Sequence, residues 1–343
     1  MKIFLLFLFL LFNLSVFAVE NNDLSFDDID DNLIFNDSPL KDELSHPDWF
    51  KHSFLNLPED IIEAKKDKKK GIIVYFGQRF CPYCKTLMEV NWRKPDIVKY
   101  TRDNFDVIAL SIWGNKEVVL PDGTKTTERE YAIRNNANFT PSLIFYDVSG
   151  KQTLMLRGYY PPYKFLAALE YVVGEHYKQE SLASFMLRAN PPPKFEIGDL
   201  NEQDFFTKAP FMLDRSRFKA QKPLAVFFEQ KDCYACDVLH SKPLSDKNTK
   251  KLLDKFEIIQ VDTNDRTPIV IPGGQKINVQ QWAQNLQIFY TPTIVFFDEM
   301  GVEIIRVESV AHLYRIQNVL KFVIDKTYLV YPNFATWRFD MLF

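Results

Sequence analysis

Cysteine is scarce in this chain, with four in 343 residues, at positions 81, 84, 233 and 236. That excludes a scaffold stapled by scattered disulfides, because a bridge across two intervening residues closes a ring too small to restrain the unfolded chain much. An excess of one charge is also missing. Lys and Arg number 42 against 45 Asp and Glu, for a formal charge of −3, which gives no electrostatic ground for nucleic-acid binding. The five histidines (His46, His52, His176, His240 and His312) show no ligand spacing and are expected on the surface or at helix ends. Long hydrophobic runs are absent after the first twenty residues.

Those first residues, MKIFLLFLFLLFNLSVFAVE, place Lys2 ahead of an apolar run and end it at Val16-Phe17-Ala18. A basic start, a short apolar stretch and a small residue before the cut predict a cleaved signal peptide over residues 1–18. The run is too short for the roughly 20 residues that span a bilayer, and no cysteine follows it to carry a lipid. Residues 19–46 are rich in Asp and poor in periodic apolar positions, which reads as a solvated acidic linker. At 46% hydrophobic, the remainder is long enough to bury more than one core. The expected division is a first domain over 47–190, a linker over 191–208 and a second domain over 209–343.

The cysteines form two CxxC pairs. Four thiolates could hold a structural zinc, but 148 residues separate Cys84 from Cys233, where zinc knuckles typically lie about 15–20 apart. Redox chemistry explains the pattern better, and neither a metal nor another cofactor is expected.

Each pair follows a short apolar run suited to a buried strand, Gly71-IIVYF-Gly77 and Pro223-LAVFF-Glu229. Each precedes a helical stretch, read as one long helix over Lys85–Arg102 and another over Asp237–Lys255. Further on come Phe139-TPSLIFYD-Val148 and Tyr290-TPTIVFFD-Glu299. Cys84 precedes Pro141 by 57 positions and Cys236 precedes Pro292 by 56, so the halves keep register. Duplication accounts for this. A strand and a helix then close each half, around Leu154–Arg157 with Tyr163–His176, and Glu303–Val307 with Leu313–Lys326. The expected fold class is α/β, two tandem domains, each a central mixed sheet flanked by helices.

The order strand, CxxC, helix, strand, helix, Thr-Pro, strand, strand, helix resembles the thioredoxin fold over nearly all of residues 60–340. The first half is similar to the SoxW-like exported thioredoxins through Tyr75-FGQRFCPYC, Leu110-SIWGNKEV, Thr127-EREYA and Arg157-GYYPPYKFLAALEYV. The second half has CYAC and lacks the GYYPP segment. The resemblance implies that Pro141 and Pro292 are cis and face the cysteines, and that Thr140 and Thr291 offer their backbone to a bound peptide. It also implies a periplasmic dithiol protein, reduced by a membrane thiol-transfer donor and acting on periplasmic protein disulfides. An oxidase or isomerase of the same fold, or a redox-inactive binding or chaperone module, are the alternatives. The sequence sets no oligomeric state.

A cysteine at a helix N-terminus is stabilised as the thiolate, so Cys81 and Cys233 are the expected nucleophiles and Cys84 and Cys236 the resolving thiols. Pro82 and Tyr83, and Tyr234 and Ala235, lie between the cysteines and tune their potential. Many thioredoxins carry a buried Asp six residues before the first cysteine. Tyr75 and Phe227 stand there instead, leaving Glu229 as the nearest acidic candidate for a proton acceptor. The first domain, with the fuller resemblance, is expected to supply most of the activity toward substrates.

Overall fold

The structure, a computed structural model, describes residues 35–188, 200–231 and 233–342. The expected signal peptide lies outside them, as do residues 19–34 of the expected acidic linker and residues 191–199 of the expected linker between the domains.

The first domain is built on β1 (Gly71–Gly77), whose seven residues are all buried. Its side chains alternate between two cores as strand pleating requires. Ile73 and Tyr75 join the core around the cysteines, while Ile72, Val74 and Phe76 face the other side of the sheet. β1 pairs parallel with β2 (Phe105–Ser111) and antiparallel with β5 (Ser142–Asp147), which pairs with β6 (Gln152–Arg157), giving the order β2-β1-β5-β6. A small hairpin, β3 (Glu117–Val119) and β4 (Lys125–Thr127), stands apart.

The second domain repeats this plan on β7 (Leu224–Glu229). The sheet runs β12-β11-β7-β8, with β8 at Glu257–Asp262, β11 at Thr293–Phe297 and β12 at Glu303–Val307. Its hairpin is β9 (Pro268–Val270) and β10 (Lys276–Asn278). Even the capping boxes correspond: Thr127 with Glu130 and Asn278 with Gln281 start the helix after each hairpin. The fold class is therefore two α/β domains with mixed sheets flanked by helices.

The helices after the cysteines depart from expectation. The first stretch divides into α2 (Pro82–Glu89) and α3 (Pro95–Asn104), following α1 (Leu57–Lys66). Pro95 has no amide hydrogen for a helix interior and holds Lys94 extended, so it begins a new helix. Pro243 and the N-cap Asp246 divide the second stretch in the same way, into α7 (Tyr234–Ser241) and α8 (Lys247–Leu253). The first domain continues with α4 (Glu128–Arg134) before β5 and α5 (Pro162–Val173) after β6, and α6 (Leu182–Arg188) follows it. In the second domain α9 (Val279–Asn285) precedes β11 and α10 (Leu313–Ile324) follows β12; α11 (Phe334–Leu342), a helix absent from the sequence reading, comes after α10.

Two stretches read as linkers pack into the protein. Phe35 lies against Tyr83, Tyr159 and His312, and Asp37 is 4% exposed. Phe205 and Phe206 pack on the second core. Aromatic and aliphatic residues inside polar stretches do this because each such side chain removed from water contributes roughly 1.5–3 kcal/mol.

The domains meet face to face through equivalent residues. Leu143 pairs with Leu156 and Ile294 with Val307, so the next residues, Arg157 and Glu308, correspond. They form an ion pair at 3.5 Å. Gly158 lies against Ser309, and the Val310 amide donates to the Tyr159 carbonyl at 3.2 Å. Contacts between equivalent positions are what a two-fold axis produces, so the duplicated halves associate like a dimer within one chain.

Candidate redox sites

Cys81 occupies the N-cap of α2, where its sulfur accepts the Cys84 amide at 2.9 Å. Pro82 follows at the first helical position, which needs no amide donor. Cys233 caps α7 in the same way, accepting the Cys236 amide at 3.2 Å. In both domains the pair is joined as a disulfide within its own domain, Cα to Cα 5.2 Å. The unpaired amides of the helix end favour negative charge on the first sulfur when the bond is reduced.

The Thr-Pro turns come to the same place. Both Thr140-Pro141 and Thr291-Pro292 are cis, as is Ala209-Pro210, which was not foreseen. Thr140 Oγ1 lies 3.2 Å from Cys81 Sγ and accepts from the Gln78 side-chain Nε2 at 2.8 Å. In the second domain Cys233 Sγ lies 3.6 Å from Thr291 Oγ1, whose hydroxyl donates to Gln230 Oε1 at 3.4 Å. Gln78 and Gln230 were overlooked. Each stands three residues before the first cysteine of its pair, a signal the repeat carried.

The absent buried Asp is explained differently in the two halves. Burial raises the Tyr75 hydroxyl above its ordinary range, and the ring folds over Gly77, where a Cβ would collide with it. In the second half the smaller Phe227 leaves room for Glu229, whose oxygens are taken by His240 Nε2 at 2.8 Å and Gln260 Nε2 at 3.0 Å. No hydrogen bond joins Glu229 to either sulfur among the described residues. His240 and His312 stand at helix ends, as expected, in the last turn of α7 and at the N-cap of α10, and there they are buried, at 4% and 5% exposure. His240 is held by Glu229. His312 lies against Phe35 and stacks on Tyr83.

The two sites differ most in what covers them. Cys81 is 0% exposed and Thr140 3%, whereas Cys233, Tyr234 and Thr291 are all partly exposed. The first site is covered by the second domain's β12–α10 turn and the start of α10. Tyr83, between the first two cysteines, donates to Asp37 Oδ2 at 2.8 Å, and its oxygen accepts the His312 amide at 2.9 Å. Asp37 also accepts the amides of Tyr314 (2.9 Å) and Arg315 (2.8 Å), capping α10 from far away in sequence. The Arg315 guanidinium lies 3.4 Å from the Tyr83 ring centre and donates to the Thr140 carbonyl at 3.1 Å. Burial pushes His312 down to about 4, against the pull of Asp37 and helped by Arg315 and Lys242. The second site is thus the more accessible of the two, although the fuller family resemblance lies with the first.

No group of metal-ligating side chains occurs among the described residues, and no described helix is long and apolar enough to cross a membrane. Two α/β domains, each setting a helix-capping cysteine against a Thr-cis-Pro turn, define a thioredoxin-type protein with CxxC redox centres. The chain belongs to the thioredoxin-like domain family, whose model matches it twice, over residues 57–173 and 217–324, about two thirds of its length.

No curated protein matches the sequence. Among solved structures, a thioredoxin-fold protein from Helicobacter pylori is 18% identical, with 40% of this chain and 88% of that one covered at a TM-score of 0.35. A thioredoxin from Thermus thermophilus is 23% identical, covering 31% and 75% at 0.25. A disulphide isomerase from Xylella fastidiosa is 13% identical, covering 39% and 99% at 0.26.

Proposed function

We propose that the protein is an exported thiol–disulfide oxidoreductase that reduces protein disulfides in the periplasm. A membrane thiol-transfer protein would supply it with electrons, as the SoxW-like character of the first half implies. One observation carries the redox reading: the same constellation of helix-capping cysteine, Thr-cis-Pro turn and glutamine is built twice, from halves whose other residues differ.

The second site is the one open to a polypeptide. Reduced Cys233 attacks a substrate disulfide as the thiolate, forming a mixed disulfide and releasing one substrate thiolate. Cys236 then attacks Cys233 Sγ, releasing the other and closing the Cys233–Cys236 bond. Two electrons pass to the substrate, and a donor dithiol restores the pair. The signal peptide expected over residues 1–18 supports the periplasmic assignment, a compartment where protein disulfides persist.

The test is insulin reduction by the full chain with dithiothreitol as donor. Turnover well above the donor alone is expected, with loss of nearly all of it in the Cys81→Ser, Cys233→Ser double variant. Equal turnover with and without the four cysteines would remove the redox reading. In cells, thiol trapping should find both pairs mainly as dithiols; mainly disulfides would reverse the direction to oxidation.

A further inference from the structure

We infer that the second domain acts as a lid that confines the first cysteine pair to small, carboxylate-bearing disulfides, leaving polypeptide disulfides to the second pair. This rests on the oxidoreductase reading of both pairs.

Three observations carry it. The first is closure on one side: the β12–α10 turn and Arg315 lie on Tyr83 and on the Thr140 carbonyl, and Cys81 is wholly covered. A polypeptide could reach Cys81 only if the domains parted. Parting would break the His312–Tyr83 and Arg315–Thr140 bonds together with those of Asp37 either to Tyr83 or to the Tyr314 and Arg315 amides.

The second is an opening on the other side. Between the cysteine turn and the helices α10 and α11 lies a narrow pocket open to solvent, whose wall includes Gln78, Cys81, Tyr314, Asn318 and Arg338. Side-chain rotation at this wall can expose Cys81 to a small molecule without moving a domain, a far smaller rearrangement than domain separation.

The third is charge. Arg315 is balanced by Asp37. Arg338, partly exposed on α11, bonds only neutral groups among the described residues, Asn318 Oδ1 at 3.1 Å and the Tyr314 hydroxyl. Its guanidinium is therefore free to receive a carboxylate.

The chemistry balances as at the second site. The Cys81 thiolate attacks one sulfur of the small disulfide and expels one thiolate. Cys84 attacks Cys81 Sγ and expels the second, so the dithiol becomes the Cys81–Cys84 disulfide, and a donor dithiol restores it.

The experiment isolates each pair in the full chain. The Cys233→Ser, Cys236→Ser variant retains only the first pair, and the Cys81→Ser, Cys84→Ser variant only the second. Each, reduced beforehand, is mixed with dithiodipropionate, with hydroxyethyl disulfide, which is neutral and smaller, and with insulin. The ratio of dithiodipropionate to insulin rate should be at least tenfold higher for the first pair than for the second. The first pair should also prefer dithiodipropionate to hydroxyethyl disulfide, a preference that Arg338→Gln removes. Asp37→Ala with Arg315→Ala should raise its insulin rate at least tenfold.

Equal ratios at the two pairs, or no preference for the anionic reagent, would overturn the inference while leaving the oxidoreductase reading intact. If neither isolated pair reduces any of the three, that reading fails instead. The comparison between the two isolated pairs keeps the lid testable even where the Asp37 and Arg315 changes prevent folding.

Discussion

Asp37 and Arg315 join parts of the chain that a sequence reading keeps apart. Asp37 lies in a stretch dominated by acidic residues, and composition gave no reason to single it out; its role depends on where α10 ends up. Arg315 looks like any arginine near a helix start, yet it is buried against the first redox pair. His312 belongs to the same cluster and makes the contact sensitive to pH. Its folded value, about 4, is below the roughly 6.5 of an unfolded histidine. The folded protein therefore binds fewer protons here than the unfolded chain, so the stabilisation is complete above about pH 6.5 and is lost as pH falls toward 4. Burial raises the neighbouring Glu308 carboxyl, which acts in the opposite sense, so the comparison must be with a variant that keeps it. His312→Phe preserves the ring packing and leaves nothing to titrate, and His312 Nε2 has no hydrogen-bond partner among the described residues to lose. Between pH 6.5 and 4 the unaltered protein should lose more melting temperature than the variant. Parallel curves would show that His312 binds its proton alike in the folded and unfolded chains, and that burial does not depress it.

The order of the elements was legible because buried strands need unbroken apolar runs, and β1, β5, β7 and β11 have them. The cysteines and the Thr-Pro turns were legible because the repeat shows each motif twice. Helix breaks were not, although Pro95 and Pro243 were in view; the polar and apolar mixture around them suits one long helix, and only the prolines' missing amides divide it. Where the elements of different domains touch, a single glycine matters. Gly158, at φ +100°, follows β6, and a Cβ there would strike Ser309 Oγ. Gly158→Ala should therefore cost about 1–3 kcal/mol in urea unfolding, from the collision and the positive φ. Adding Ser309→Gly should restore part of the loss, since it removes the collision and leaves the backbone cost. An alanine variant as stable as the original would mean that the domains do not meet here.

At the scale of the molecule, duplication produced two sites with one chemistry and two surroundings. Each half's strand pattern predicts its fold, but the pattern is silent about the face where the halves meet, because that face is made of turns and of helix ends with no period to read. This is why sequence similarity favoured the first site for substrate work and accessibility favours the second. The central claim is that both pairs are redox-active, with Cys233 the open nucleophile and Cys81 the shielded one. The most direct measurement is the rate at which each cysteine of the fully reduced chain is alkylated by iodoacetamide near neutral pH, followed by mass spectrometry. Cys233 should react at least tenfold faster than Cys81, and each should outpace its own resolving cysteine. In urea above the unfolding midpoint the four should converge. Cys81 reacting as fast as Cys233 in the folded protein, or Cys236 faster than Cys233, would contradict the account.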